Sequence, residues 1–131
     1  MLRKQLALAV FLGLLTLTTS CAPLLIAGGA AAGAGGAIWY KGKLEATVNG
    51  TIHEVRRATV AALKEHGLPV LTESRDGFVT MIESEISDGT RIWIKLSSVA
   101  ASATKVNIRV GILGDRAKST RILETIKKNL R

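Results

Sequence analysis

The chain has one cysteine, two histidines and only 4% aromatic residues in 131, with 10 acidic residues against 18 basic ones. Each scarcity excludes something. A single cysteine, Cys21, forbids any disulfide within the chain. The histidines, His53 and His66, fall thirteen apart on one expected helix. At about 100° per residue they point roughly 220° apart, so they cannot share a metal. His66 sits where it can meet the negative end of the helix dipole, and His53 reads as a solvated residue of the first turn. No serine stands in a motif with a histidine to activate it. The shortage of acids leaves a formal charge of +8, which favours anionic lipid headgroups, glycans or phosphate as partners.

Charge and hydropathy are ordered most clearly at the start. A basic opening with Arg3 and Lys4 precedes an apolar run from Leu6, and Thr18-Thr19-Ser20 lead into Cys21. That order is the signature of an export signal. Residues 17–21 (Leu-Thr-Thr-Ser-Cys) resemble a lipobox, although Leu17 stands one place early and Thr18 occupies the usual leucine position. The run is shorter than the ~20 residues that an uncleaved membrane span wants. The expectation is a signal peptide over 1–20 and acylation of Cys21, where each buried methylene adds about 0.8 kcal/mol of membrane affinity. Removing Arg3 and Lys4 with the leader takes 18 basic residues to 16 against 10 acidic, a net of +6. Among such signals, Ala22 rather than Asp after the cysteine implies the outer membrane, facing the periplasm. An exported protein has no nucleic-acid partner, despite its charge.

Residues 21–42 form a stretch rich in Ala and Gly, uncharged over 22–40 and closing with Trp39-Tyr40-Lys41-Gly42. Gly29 and Gly33 stand four apart, as do Ala32 and Gly36. In an apolar helix such spacing allows close backbone approach, so Gly29, Gly33 and Gly36 are candidates for helix packing at the membrane. Trp39, Tyr40 and Lys41 suit a headgroup boundary. The other reading is a flexible spacer, because glycine is a poor helix former in water. Nucleotide loops are excluded. Gly33-Ala34-Gly35 continues to Ile38 where a dinucleotide loop needs Gly, and Gly42-Lys43 is followed by Leu44 where a phosphate loop needs Ser or Thr.

From Lys43 onward the pattern is that of a folded domain, 43–131. Leu44, Ala46 and Val48 alternate with polar residues and predict a strand. Thr51-Ile52-His53-Glu54 is a capping box opening a helix to about His66, with Ile52, Val55, Thr59, Ala62 and Leu63 on one face. Gly67 and Pro69 end it. Strands are expected at 70–74, 78–86, 90–99 and 104–110, divided by Arg75-Asp76-Gly77, Ser87-Asp88-Gly89 and a looser turn at 100–103. Asp115 caps a last helix with Ile122, Ile126 and Leu130 in register. Each strand after the first helix is expected to have one apolar face, and the order β-α-β-β-β-β-α predicts an α+β fold: an antiparallel sheet of about five strands with both helices on its apolar face.

Two groups of side chains on the other face could carry chemistry. Glu83 and Glu85 share one side of a strand, as a glycosidase pair would, but they lack an opposing wall and lie beside cations. Cross-strand ion pairing explains them better. The sharper candidate is a binding face of Arg91, Trp93, Lys95, Lys105 and Arg109, where an indole among cations could stack on a sugar or rest at an anionic headgroup layer. The alternative is that the Gly-rich segment or a partner chain covers Trp93. No catalytic group and no cofactor site is expected.

Taken together, the signal and Cys21, the run ending in Trp39-Tyr40-Lys41-Gly42-Lys43-Leu44, Asp88-Gly89-Thr90 and Thr104-Lys105-Val106-Asn107-Ile108-Arg109-Val110-Gly111 resemble the bacterial lipoproteins grouped as domain of unknown function 3568. So do Ala58 to Leu63, Gly114-Asp115 and Arg121-Ile122-Leu123. The resemblance implies class and location but supplies no activity. The expectation is a lipid-anchored, non-enzymatic envelope protein that binds a partner protein or an anionic lipid or glycan. The rival is a homo-oligomer zipped together through the Gly-rich helix.

Overall fold

The computed structural model describes residues 36–131. The leader, Cys21, Gly29 and Gly33 therefore lie outside the described residues. Six strands make one antiparallel sheet in the order β1-β2-β6-β5-β4-β3: β1 (Ala37–Tyr40), β2 (Lys43–Asn49), β3 (Val70–Asp76), β4 (Val79–Glu85), β5 (Arg91–Ala100) and β6 (Ala103–Val110). Helix α1 (Ile52–Glu65) follows β2, and α2 (Arg116–Asn129) closes the chain. The class and the strand-helix order from Lys43 are as expected.

Alternation builds the core. Leu44, Ala46 and Val48 of β2 face the helices with Ile82 of β4, Ile92, Ile94 and Leu96 of β5, and Val106, Ile108 and Val110 of β6. Against them α1 sets Val55, Ala58, Ala62 and Leu63, and α2 sets Ile122, Leu123 and Ile126. Fully burying each large aliphatic side chain contributes about 1.5–3 kcal/mol, so this single layer dominates the stability. The capping box forms as read: Glu54 N donates to Thr51 Oγ1 at 3.3 Å, and Thr51 N donates to Glu54 Oε2 at 2.8 Å. Those bonds hold the Glu54 carboxyl below the usual carboxylate range. Asp115 Oδ1 accepts from Lys118 N at 3.0 Å and caps α2. His66, at the C-cap of α1, shares a 2.8 Å hydrogen bond with Thr125 Oγ1 and so ties the two helices.

Three expectations need correction. The sheet has a sixth strand, because Ala37–Tyr40 pairs with β2 through Tyr40↔Lys43 and Trp39↔Leu44. Its connection, Lys41-Gly42, has φ of 48° and 76°, the two left-handed residues of a tight hairpin turn. Trp39 accordingly packs half-buried against the core. The folded unit thus reaches back to Ala37, and Gly36 lies in irregular backbone before β1, not in a helix. Next, Phe78 sits exposed in the β3–β4 turn, not at a strand start. Last, β3 buries no apolar face. It is a charged edge strand with Val70 and Leu71 exposed, a common protection against edge-to-edge pairing. Glu73 fastens it to α1 through a two-pronged ion pair with Arg56, one prong Nη2 to Oε2 at 3.0 Å. The Arg56 hydrogen bond holds the Glu73 carboxyl low.

The β1–β2 turn is locked to the loop that precedes α2. A Cβ on Gly114 would stand 2.3 Å from the Gly42 carbonyl oxygen, and Gly114 has φ +82°. Gly67, with φ +68°, has open space around it. Gly114→Ala is therefore expected to cost about 3 kcal/mol, left-handed strain plus a backbone clash, whereas Gly67→Ala costs about 1 kcal/mol. Chemical denaturation of the two variants measures the difference; equal costs would show that the turn and loop do not depend on close approach.

Candidate functional site

The helices cover one face of the sheet, and alternation sends the opposite side chains outward. Register then decides which of them meet. Trp93 of β5 lies between Glu83 of β4 and Arg109 of β6. Lys95 lies between Met81 and Asn107, and Asn107 pairs onward with Glu45 of β2. Lys105 lies between Ser97 and Thr47. All of these except Glu83 and Thr47 line an open groove of about 610 Å³. Lys43, Lys95, Lys105 and Arg109 bring four cations to it and Glu45 one carboxylate, around an apolar patch of Trp93, Met81 and Ile112.

Four of the five residues expected on this face, Trp93, Lys95, Lys105 and Arg109, come together in the groove. Arg91 does not join them. Its Nη1 stands 3.3 Å from Glu83 Oε2 and its Nε 3.1 Å from Glu85 Oε2, so it neutralises the two glutamates. Exposed pairs of this kind contribute about 0–1 kcal/mol, and their effect here is on the field. Glu83, beside Trp93, is thereby offset and the groove stays basic. Arg109 reaches the β1–β2 turn, its Nη2 donating to the Lys41 carbonyl at 3.5 Å. Arg109 Nε and Asn107 Oδ1 are shielded and lack a hydrogen-bond partner among the described residues.

Lys43, Glu45 and Ile112 were missed by sequence reasoning. Lys43 and Glu45 alternate outward on β2, but nothing in the sequence says that β2 lies beside β6. Ile112 comes from the β6–α2 loop and also borders a second cleft of about 860 Å³, which shares Trp93 and extends past Val110 and Leu113 to Lys118. Among the described residues no three of His, Cys, Asp and Glu gather as metal ligands, and no helix is long and apolar enough to cross a membrane.

The architecture is that of a small α+β domain in which, among the described residues, one sheet face is packed and the other open. The chain belongs to the family described as Protein of unknown function (DUF3568), whose model matches residues 4–129. None of the curated proteins matches the chain.

The basic field around Trp93 has a direct optical test. In a Trp39→Phe background, Trp93 is the remaining indole. Iodide should quench its fluorescence at least about twice as efficiently as caesium, because cations concentrate the anion locally. Lys95→Glu should reverse that preference. Equal quenching by the two ions would mean that the groove carries no net positive field.

Proposed function

We propose that the protein is a non-enzymatic, lipid-anchored component of the bacterial envelope that binds an anionic envelope glycan or headgroup in the groove on the outer face of its sheet. The observation that carries this reading is the convergence of Lys43, Lys95, Lys105 and Arg109 on the half-buried indole of Trp93, with Glu45 the only carboxylate among the described residues that line the groove. An indole offers a flat apolar surface on which a sugar ring can stack, and the flanking cations can meet its phosphate or carboxylate groups. Glu83 and Glu85, the nearest approach to a catalytic pair, are occupied by Arg91. Attachment rests on the sequence alone: Arg3-Lys4, the apolar run and the small residues before Cys21 are the order that lipid modification requires, and Ala22 favours the outer membrane.

Heparin, an anionic polysaccharide, is a usable probe. Trp93→Ala leaves the charge unchanged and should weaken binding by about tenfold, the effect of losing stacking worth about 1–2 kcal/mol. Calorimetry on the full chain measures it. Undiminished affinity would leave only nonspecific attraction to a basic protein. Mass spectrometry of the N-terminus from the native host checks the anchor: acylated Cys21 is expected, and an intact leader or bare thiol refutes it.

A further inference from the structure

At the end of the sheet where β1 turns into β2, the chain carries an apolar point. Ile112 and Leu113, adjacent in the β6–α2 loop, are 82% and 91% exposed and are the two most exposed large hydrophobic side chains among the described residues. Tyr40, also exposed, ends β1 two residues before Gly42. The loop is braced. A Cβ on Gly42 would come within 2.9 Å of the Leu113 carbonyl oxygen, and Gly114 abuts Gly42 in the same way. Short backbone contacts thus leave the two aliphatic side chains with no covering surface from their own domain.

Charge surrounds that point. Lys41 and Lys43 flank Gly42, Arg109 reaches the Lys41 carbonyl, and Arg116 opens α2, exposed, two residues after Gly114. Asp115, the carboxylate among them, is committed to the N-cap and to Lys118 at 3.6 Å. A cationic collar around an apolar tip complements an anionic bilayer, where phosphates meet the collar and the boundary below them accepts aliphatic groups. It opposes pairing with a second copy, which would bring two collars together.

We propose that this tip docks on an anionic lipid bilayer, with Ile112 and Leu113 entering the headgroup–acyl boundary and Lys41, Lys43 and Arg116 resting among the phosphates. The depth is that of other interfacial elements, about 5–10 Å. The contact shares Lys43 and Ile112 with the rim of the glycan groove, but Lys95 and Lys105 take no part in it. It would orient the sheet end-on to the membrane and leave the groove facing sideways, open to a ligand.

Phe78 supplies an internal control, because it is 77% exposed in the turn at the opposite end of the sheet. The test uses the full chain with Cys21→Ser, which removes the native thiol, and an environment-sensitive nitrobenzoxadiazole label on Leu113→Cys or Phe78→Cys. Vesicles are phosphatidylcholine alone or with phosphatidylglycerol, with nitroxides on the acyl chains. The label at 113 is expected to blue-shift and be quenched in anionic vesicles, less so in neutral ones and less at high salt, while the label at 78 stays water-like. Retaining that shift in a Lys95→Glu, Lys105→Glu background supports the tip even if the groove binds nothing. Equal behaviour at 78 and 113, no shift at 113, loss of the shift in that background, or a vesicle-free shift growing with protein concentration would each overturn the proposal.

Discussion

One-sided burial governs this molecule. Two helices suffice to cover one face of the four central strands, β2, β6, β5 and β4, and both lie on the same side. The strict alternation of β5 and β6 follows: Ile92, Ile94, Leu96, Val106 and Ile108 go inward, and Trp93, Lys95, Lys105 and Arg109 must go outward. A second covering layer would bury Lys43, Lys95, Lys105 and Arg109 with Glu45 as their one carboxylate in the groove, at several kcal/mol per uncompensated ion. The same period that makes the core therefore keeps the basic face open. Shifting the register by one residue would exchange the two faces, so the core fixes the site as firmly as it fixes the fold.

The second constraint is the contact between Gly42 and Gly114. It joins the start of the sheet to the start of α2, two parts of the chain far apart in sequence. Arg109 strengthens the junction from the end of β6. Through it the β1–β2 hairpin, the rim of the groove and the exposed Ile112-Leu113 pair become one structural unit. The short strand β1 is thus more than an added edge, because its turn sets the position of the loop beside it.

Much of this was legible in the sequence where a local rule and the tertiary structure agree. Thr51 and Glu54 lie at capping-box spacing, the turn at Asp88-Gly89 carries its usual signal, and Val106, Ile108 and Val110 follow the strand period. The sequence hid β1 because four residues are too few to display alternation, and Lys-Gly is a weaker hairpin signal than Asn-Gly or Asp-Gly. The edge strand β3 was recognised but credited with an apolar face it does not bury; an edge can satisfy half of its backbone with water and needs no such face. Of the site, Trp93 and its cations could be read from alternation along β5 and β6. Lys43 and Glu45 could not, since their place depends on β2 lying beside β6, a pairing across more than fifty residues. Cross-strand pairing of Glu83 and Glu85 was legible from alternation; what the sequence did not single out is that Arg91, of the cations on that face, is the one that meets both.

The proposed function requires that the outer face of the sheet be the one that meets the envelope. Lysine reactivity tests this most directly, with a water-soluble acylating reagent applied to the protein in native envelopes and again after detergent release, and read by mass spectrometry. Lys43, Lys95 and Lys105 should be protected in the envelope and become reactive on release, while Lys64, exposed on the helical side, reacts equally in both. Equal reactivity of all four lysines, or protection of Lys64 alone, would contradict it.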